Sequence, residues 1–452
     1  MKSDSLTHKL RNMKYYHKNI TTVILVSLMF FSSCRVEPIN DPNNPGIGGI
    51  SANPTPGEIQ NVVTAIESGM RDNMNFYFDD GGVIGREYYR FSGSDPRFTS
   101  ELLGKGTAIL DNNTFYLTNP YAARYRVVKN INILLDGLTN TTSASIDDVE
   151  RTLGKAYANT VKAHEFLIVL NLEYDNGIRV DVANPDALGP FLTRVQSLDE
   201  ISNLLNTAYT DMSANGAATF PFFTNLFSNV AGEFAEFNRA LAARVAVYKA
   251  DWAGALTALD NSFFDINGDL NEGVFYNYSA TGGDQLNPMF FPRNSSGEAR
   301  VAHPSFITDA EAGDTRLTKT PVRTSSLTQD GLTSNYDFFV YKTNIDRIPI
   351  IRNEELLLIY AEAKAQLGGA GNLADAVTAI NKIRDAAGLP DYSGAVTQAA
   401  IINEMLDQRR YSLYGEGHRW IDMRRYDRLN TLPIDRAGDD VWVQFPRPAT
   451  EN

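Results

Sequence analysis

The sequence predicts a mainly α-helical fold of about four stacked helical hairpins that carry long irregular loop insertions. Three observations carry this expectation: capped helix starts, apolar residues recurring every three or four positions, and small residues where successive helices would cross. With 452 residues, 43% of them apolar and 11% aromatic, the chain can bury a large core, and it is too apolar for a disordered polymer. Thr55, Pro56 and Glu58 form a capping box with proline at the first helical position, ahead of Ile59, Val62, Val63, Ile66 and Met70 on one face. Ser145 with Asp148 and Ser197 with Glu200 repeat the signal, the second ahead of Ile201, Leu204, Leu205, Ala208 and Met212. Ala240, Ala243, Val247 and Ala250 have close-packing spacing, and Asp251 and Trp252 turn the chain into a partner helix. A last helix from 353 breaks at Gly368, Gly369 and Gly371, and its partner stops at Gly388 and Pro390.

The expected pairs are 55–75 with 121–138, 147–174 with 198–212, 235–250 with 252–260, and 353–367 with 373–387. Hairpins with short turns and small residues at the crossings stack in the tetratricopeptide manner, each unit burying its face against its neighbours. The remaining segments, 76–120 and 261–350, read as loop insertions rich in aromatics, which argues for function rather than disorder.

Residues 1–33 differ from the rest. Lys2, Lys9, Arg11, Lys14 and Lys18 precede an uncharged run from Ile20 to Phe31, too short to span a bilayer, and Ser32 and Ser33 lead to Cys34, the only cysteine. This pattern predicts a lipoprotein signal peptide over 1–33 with acylation of Cys34, a Pro/Gly-rich flexible tether over 34–54, and a single domain over 55–452. Met13, followed by Lys14, is an alternative translation start. The net charge of −13 becomes −17 once the leader's five basic groups and one acid are removed. Such an acidic balance without a Lys/Arg-rich run argues against nucleic acid as a partner, and it tilts the expected ligand toward neutral molecules. One cysteine excludes an internal disulfide and cysteine-based metal clusters.

Glu416, His418, Arg419, Asp422, Arg424 and Arg425 crowd into ten residues and invite a catalytic reading. No nucleophile or second converging motif accompanies them, so a buried Arg–carboxylate clamp is the better expectation and no catalytic residue is assigned. His164, His303 and His418 are too far apart in sequence to suggest a metal pair. Asp265, Asn267 and Asp269 match the start of a calcium loop, but Leu270 stands where glycine is needed and Tyr276 where a bidentate Glu should be. No metal or cofactor is expected.

Three blocks in the last third, Arg352-Asn-Glu-Glu-Leu-Leu-Leu-Ile-Tyr-Ala-Glu-Ala363, Ala379-Ile-Asn-Lys-Ile-Arg-Asp-Ala-Ala-Gly-Leu389 and Arg409-Arg-Tyr-Ser-Leu-Tyr-Gly-Glu-Gly-His-Arg-Trp-Ile-Asp-Met-Arg424, resemble the signature blocks of the SusD/RagB family in order and spacing. Residues 163–177 and 240–252 fit weaker blocks, so the likeness extends over most of 55–430. Gln408 and Ser412 stand where members usually carry Glu. The resemblance implies a tetratricopeptide-like scaffold and a non-enzymatic surface lipoprotein of Bacteroidetes, anchored to the outer membrane. Such a protein would capture oligosaccharides and pass them to a TonB-dependent, SusC-like transporter. A helical glycoside hydrolase or lyase and a RagB-like peptide-capturing protein are the alternatives.

Sugar capture needs flat aromatic faces with polar groups at their edges. The two insertions offer Tyr77, Tyr88, Tyr89, Tyr116, Tyr276 and Tyr278 beside Asp95 and Arg97, and these eight residues are the expected ligand-binding set. The competing reading of each ring is an anchor that fixes its loop to the helices. The resemblance does not choose between the two, because the family's stacking residues lie outside its shared blocks.

Overall fold

A computed structural model describes residue 50 and residues 52–451 of the chain. The expected signal peptide, Cys34 and the expected tether up to residue 49, with residues 51 and 452, lie outside the described residues. The tether's last residues dock on the body: Thr142 N donates to Asn53 Oδ1 (2.8 Å) and the Thr141 hydroxyl to Pro54 O (2.8 Å).

Helix α1 (Pro56–Gly69) carries the expected capping box, Glu58 N donating to the Thr55 hydroxyl (3.3 Å) and Thr55 N to Glu58 (2.8 Å). Segment 76–120 is more ordered than expected. It holds most of α2 (Met74–Ile84), then β1 (Tyr88–Ser92), α3 (Arg97–Ser100) and the first turn of α4 (Phe115–Asn140). Helix α5 (Asp148–Glu173) is capped by Asp147 with Glu150, two residues later than Ser145 predicts. Strands β2 (Ile178–Arg179) and β3 (Phe191–Leu192) pair antiparallel ahead of α6 (Arg194–Ala214). Thr193 and Gln196 cap α6 because β3 ends at Leu192. Ser197, expected as the cap, therefore lies inside the helix and donates to Thr193 O (2.8 Å). Helices α7 (Ala231–Tyr248) and α8 (Trp252–Leu259) join through Asp251, whose carboxylate accepts from Gly254 N (3.0 Å).

Segment 261–350 supplies β4 (Gly273–Tyr276), β5 (Glu298–Ala302), α9 (Pro304–Thr308), β6 (Val322–Gln329) and β7 (Leu332–Tyr336), ending in β8 (Ile348–Arg352). The chain then runs through α10 (Asn353–Leu367), α11 (Ala370–Ala386), α12 (Gln398–Ser412) and α13 (Arg419–Arg425). All four expected pairs form: α1 with α4, α5 with α6, α7 with α8, and α10 with α11. Helix α5 also packs on α4, and α7 on α6, so the pairs continue into one array. Helix α12 closes the end, its Ile401, Ile402 and Met405 joining Leu357, Leu358, Ala376 and Ile380 in a second apolar cluster.

The strands fasten distant parts of the chain to this array. Strand β1 pairs antiparallel with β5, Tyr88 opposite Ala302 and Phe91 opposite Ala299, and β4 pairs with β8 across a bulge at Val274/Phe275. At Gly273 a Cβ would stand 2.3 Å from Ile351 O, so only glycine permits this approach of β4 to β8. Gly273→Ala is expected to cost more than about 2 kcal/mol, read as a lower denaturation midpoint; an unchanged midpoint would show that β4 can shift.

The last described residues form a strap. Trp420 Nε1 donates to Trp442 O (2.7 Å), Trp442 Nε1 to Glu101 O (2.7 Å), and Phe445, fully buried, donates from its backbone to Leu172 O (2.9 Å).

Candidate functional site

The charged cluster around residue 416 is buried and self-paired. Arg409 meets Asp422 (2.6 Å), Arg425 meets Glu362 (2.8 Å) and Asp422 (2.9 Å), and Arg352 meets Glu354 and Glu416. Its partners come from α10, α12 and α13, so it clamps the end of the array and leaves no free acid facing a cavity. In the calcium-like stretch, Asp265 accepts from Asn267 N (2.8 Å) and Asp269 from Asn271 N (2.9 Å), which are turn bonds.

The six predicted tyrosines are all buried, and most serve as anchors. Tyr88 is fully enclosed in β1, its hydroxyl donating to Phe78 O (2.8 Å) and its ring against Phe338. Tyr89 stacks on Phe91 (5.6 Å). Tyr116 donates to Glu101 (2.5 Å), and Tyr77 accepts from Asn171 Nδ2 (3.0 Å). Tyr88, Tyr89 and Tyr116 spend their faces on the core, because β1 and the start of α4 are buried, and Tyr77 in α2 is likewise in the core. Asp95 and Arg97 pair with each other (2.6 Å), and Arg97 lies over Phe115 (4.8 Å). Among the eight, Tyr276 and Tyr278 line an open groove, while Tyr77 lines a small depression of about 30 Å³ together with Tyr276.

That groove, about 650 Å³, lies between α1, the turn at 224–226 and the segment after β4. Tyr276 lies in its wall, its hydroxyl bonded to His164 Nε2 (2.8 Å). Tyr278 lies beside it with a buried hydroxyl that has no partner. Arg71 fastens the outer segment, donating to Asn277 O (2.6 Å) and pairing with Asp284 (2.6 Å). At the tip, a Cβ added at Gly282 or Gly283 would meet nothing within 4 Å. Glu67 gathers the opposite rim by accepting from Tyr157, from the Thr224 hydroxyl and from Asn225 N.

Phe223, 76% exposed, precedes Thr224 and the groove-lining Asn225 in the same turn and is not itself part of the lining. Its backbone is held from both sides by one amide: Gln60 Nε2 donates to Phe223 O (3.0 Å) and Phe223 N donates to Gln60 Oε1 (2.8 Å). Its neighbours Phe220 and Phe222 stack inside (5.7 Å), so the turn is rigid and the third ring points outward. Sequence reasoning confined to the two insertions missed it. The available signal was Phe220-Pro-Phe-Phe, an aromatic run around a proline between two helices.

A second and larger cleft of about 910 Å³ borders the first across Phe275, which lines both. Arg347 lies over the Phe275 ring at 3.9 Å. Lys319 donates to Tyr411 O (2.8 Å) and Ser412 O (2.7 Å), and burial pulls its ammonium down to about 8 against the opposing pull of Glu354. The Ser412 hydroxyl accepts from Arg316 (3.0 Å). Among the described residues, no group of three or more His, Cys, Asp or Glu could hold a metal ion.

Comparison with known proteins places these features. Residues 323–446 match the SusD family. A SusD-like protein P38 of Formosa agariphila is 30% identical over 153 residues; the match spans 30% of this chain and 30% of that protein's length. Among solved structures, a SusD superfamily protein of Bacteroides vulgatus superposes with a TM-score of 0.67 at 15% identity, over 88% of this chain and 96% of that one. The surface glycan-binding protein A of Bacteroides uniformis gives 0.62 at 16% identity, over 82% and 88%. A laminarin-binding SusD-like protein gives 0.59 at 18% identity, over 88% and 97%. At these identities the structures establish a shared fold.

Proposed function

We propose, for a chain that is SusD-like in its fold and in its C-terminal sequence, that it is a non-catalytic surface protein which captures oligosaccharides. Cys34 acylation would anchor it to the outer membrane, and a SusC-like, TonB-dependent transporter would receive the captured sugar. Among the described residues no helix is long and apolar enough to cross a membrane, so attachment in this reading rests on the lipid.

The observation that carries the binding role is Phe223, an exposed aromatic face whose backbone Gln60 holds, two residues ahead of Asn225 in the lining of a groove of about 650 Å³. A sugar ring has an apolar face that stacks on an aromatic and a polar edge that takes hydrogen bonds. Asn225, Asn277 and Arg71 line the groove on that edge. The volume is in the range of small-ligand sites, about 300–1,000 Å³. Pre-fixing the turn lowers the ordering cost of binding. Tyr276 and Tyr278 enter this proposal as wall residues, while the other predicted tyrosines support the scaffold.

Phe223→Ala is expected to weaken binding of oligosaccharides by about tenfold or more, measured by isothermal titration calorimetry against a panel of glycans. Because the ring is exposed, the denaturation midpoint should not move. Equal affinity for every glycan that binds the parent would remove Phe223 from the site. Release of new reducing ends on incubation with those glycans would replace capture by hydrolysis.

A further inference from the structure

The polar groups of the 910 Å³ cleft are unevenly committed. Its carboxylates are occupied: Glu416 accepts from Arg352 (2.9 Å), Glu354 also takes Arg352, and Asp346 accepts from Lys342 N (2.6 Å) and Thr343 N (3.2 Å). Arg316 is likewise spent on Asp314 (2.7 Å). What remains uncommitted is almost entirely donor. Among the described residues, exposed Arg347 lies over the Phe275 ring without a hydrogen-bond acceptor, Lys319 uses two of its three N–H bonds, and the buried Tyr341 hydroxyl has no partner. Among the described residues of the lining, the Asn271 amide and the Tyr341 hydroxyl, which can also accept, are the uncommitted side-chain acceptors that could compete.

A ligand satisfies such a lining by bringing acceptors, and a charged acceptor forms the stronger bonds. We propose that this cleft seats an acidic sugar unit, carboxylate- or sulfate-bearing, with Arg347 as the cation that meets it. This rests on the glycan-capturing reading and names the ligand class. Phe275 holds the guanidinium plane from one side and leaves its edge free for a two-pronged contact with the anion. Ile345, Val340 and Ile383 give the apolar wall that a pyranose ring needs. Phe275 also lines the groove of about 650 Å³, so neighbouring sugar units of one chain can occupy both depressions. The acidic balance of the whole chain does not oppose this. Exposed charges beyond roughly 10 Å are screened at ordinary salt, whereas Arg347 acts at contact.

The test is titration calorimetry on the full chain with three tetrasaccharides: an oligogalacturonate carrying carboxylates, a carrageenan fragment carrying sulfates, and a neutral β-glucan. One acidic probe should bind about tenfold or more tighter than the neutral one, and its affinity should fall between about 50 and 500 mM salt. Arg347→Gln should abolish that preference without moving the denaturation midpoint, and Arg347→Lys should restore part of it. Which acidic probe responds separates carboxylate from sulfate. Binding of the neutral probe with no acidic preference, or an acidic preference that survives Arg347→Gln, would overturn the acidic-sugar assignment and leave glycan capture standing. Failure of all three probes, with no binding in the wider glycan panel, would overturn both.

Discussion

Glu355→Ala is expected to destabilise the folded chain by about 3–5 kcal/mol. Glu355 receives Arg244 through two bonds, at 2.7 and 2.5 Å, and the same guanidinium also donates to Ile350 O at 2.7 Å. Both side chains are under a tenth exposed, so truncating the acid leaves a cation in the core without its counter-charge. Burial works to raise the Glu355 carboxyl, but Arg244 and His418 outweigh it and hold the group at about 2. Its folded value is depressed, so this stabilisation is present above the unfolded value near 4.5 and is lost as pH falls toward 2. Urea denaturation at pH 7 reads the loss. The double variant Arg244→Met/Glu355→Leu should be less destabilised than Glu355→Ala, because it removes both charges together. A single variant within about 1 kcal/mol of the parent would show that the pair is not what holds α7 to α10.

Stability is expected to fall as pH rises from about 6.5 to about 8. Glu87, between α2 and β1, is buried with one oxygen unpartnered, and burial pushes its carboxyl up to about 8 against a bond from Gly415 N. Burial likewise raises Glu173, at the end of α5, to about 8. Asp80 is raised well above the usual carboxylate range by burial and then by Asp79 beside it, and neither of its oxygens has a partner. Each acid keeps its proton in the folded chain while the unfolded chain has released it. Their contribution is therefore full below the unfolded values and drains away as pH climbs to the folded ones. His164 and His418, lowered mainly by burial to about 3 and about 4, act with the opposite sign, but their effect is complete by about 6.5. Above that, Glu87 and Glu173 together remove at most about 4 kcal/mol. Denaturation midpoints across this range measure it, and Glu87→Gln, which keeps the shape and removes the titration, should flatten the curve. A midpoint that holds or rises would mean these acids are ionised inside the fold.

The helical pairs were legible because their signals are local. Thr55 with Glu58, the apolar face of α1, and the glycines after α10 each act within a few residues, and stacking follows once the faces exist. Cap positions were less so: at α6 two overlapping boxes compete, and the end of β3 decides for Thr193. The binding surface was poorly legible because an aromatic in an insertion looks alike whether it anchors or binds. Tyr88 anchors because β5 and Phe338 cover it, partners more than 200 residues away that no local pattern reveals. Phe223 is exposed because Gln60 fixes its turn, a contact 163 residues away in sequence. The donor surplus of the larger cleft was invisible for the same reason, since it depends on which acids are already taken.

The strap that joins Trp420, Trp442 and Phe445 to Glu101 and Leu172 has a temporal consequence. Contacts between the first and last quarters of a polymer form slowly, because the intervening loop must close before they repay its entropy. Until its final residues leave the ribosome, the nascent chain lacks the pieces that lock its opening third in place.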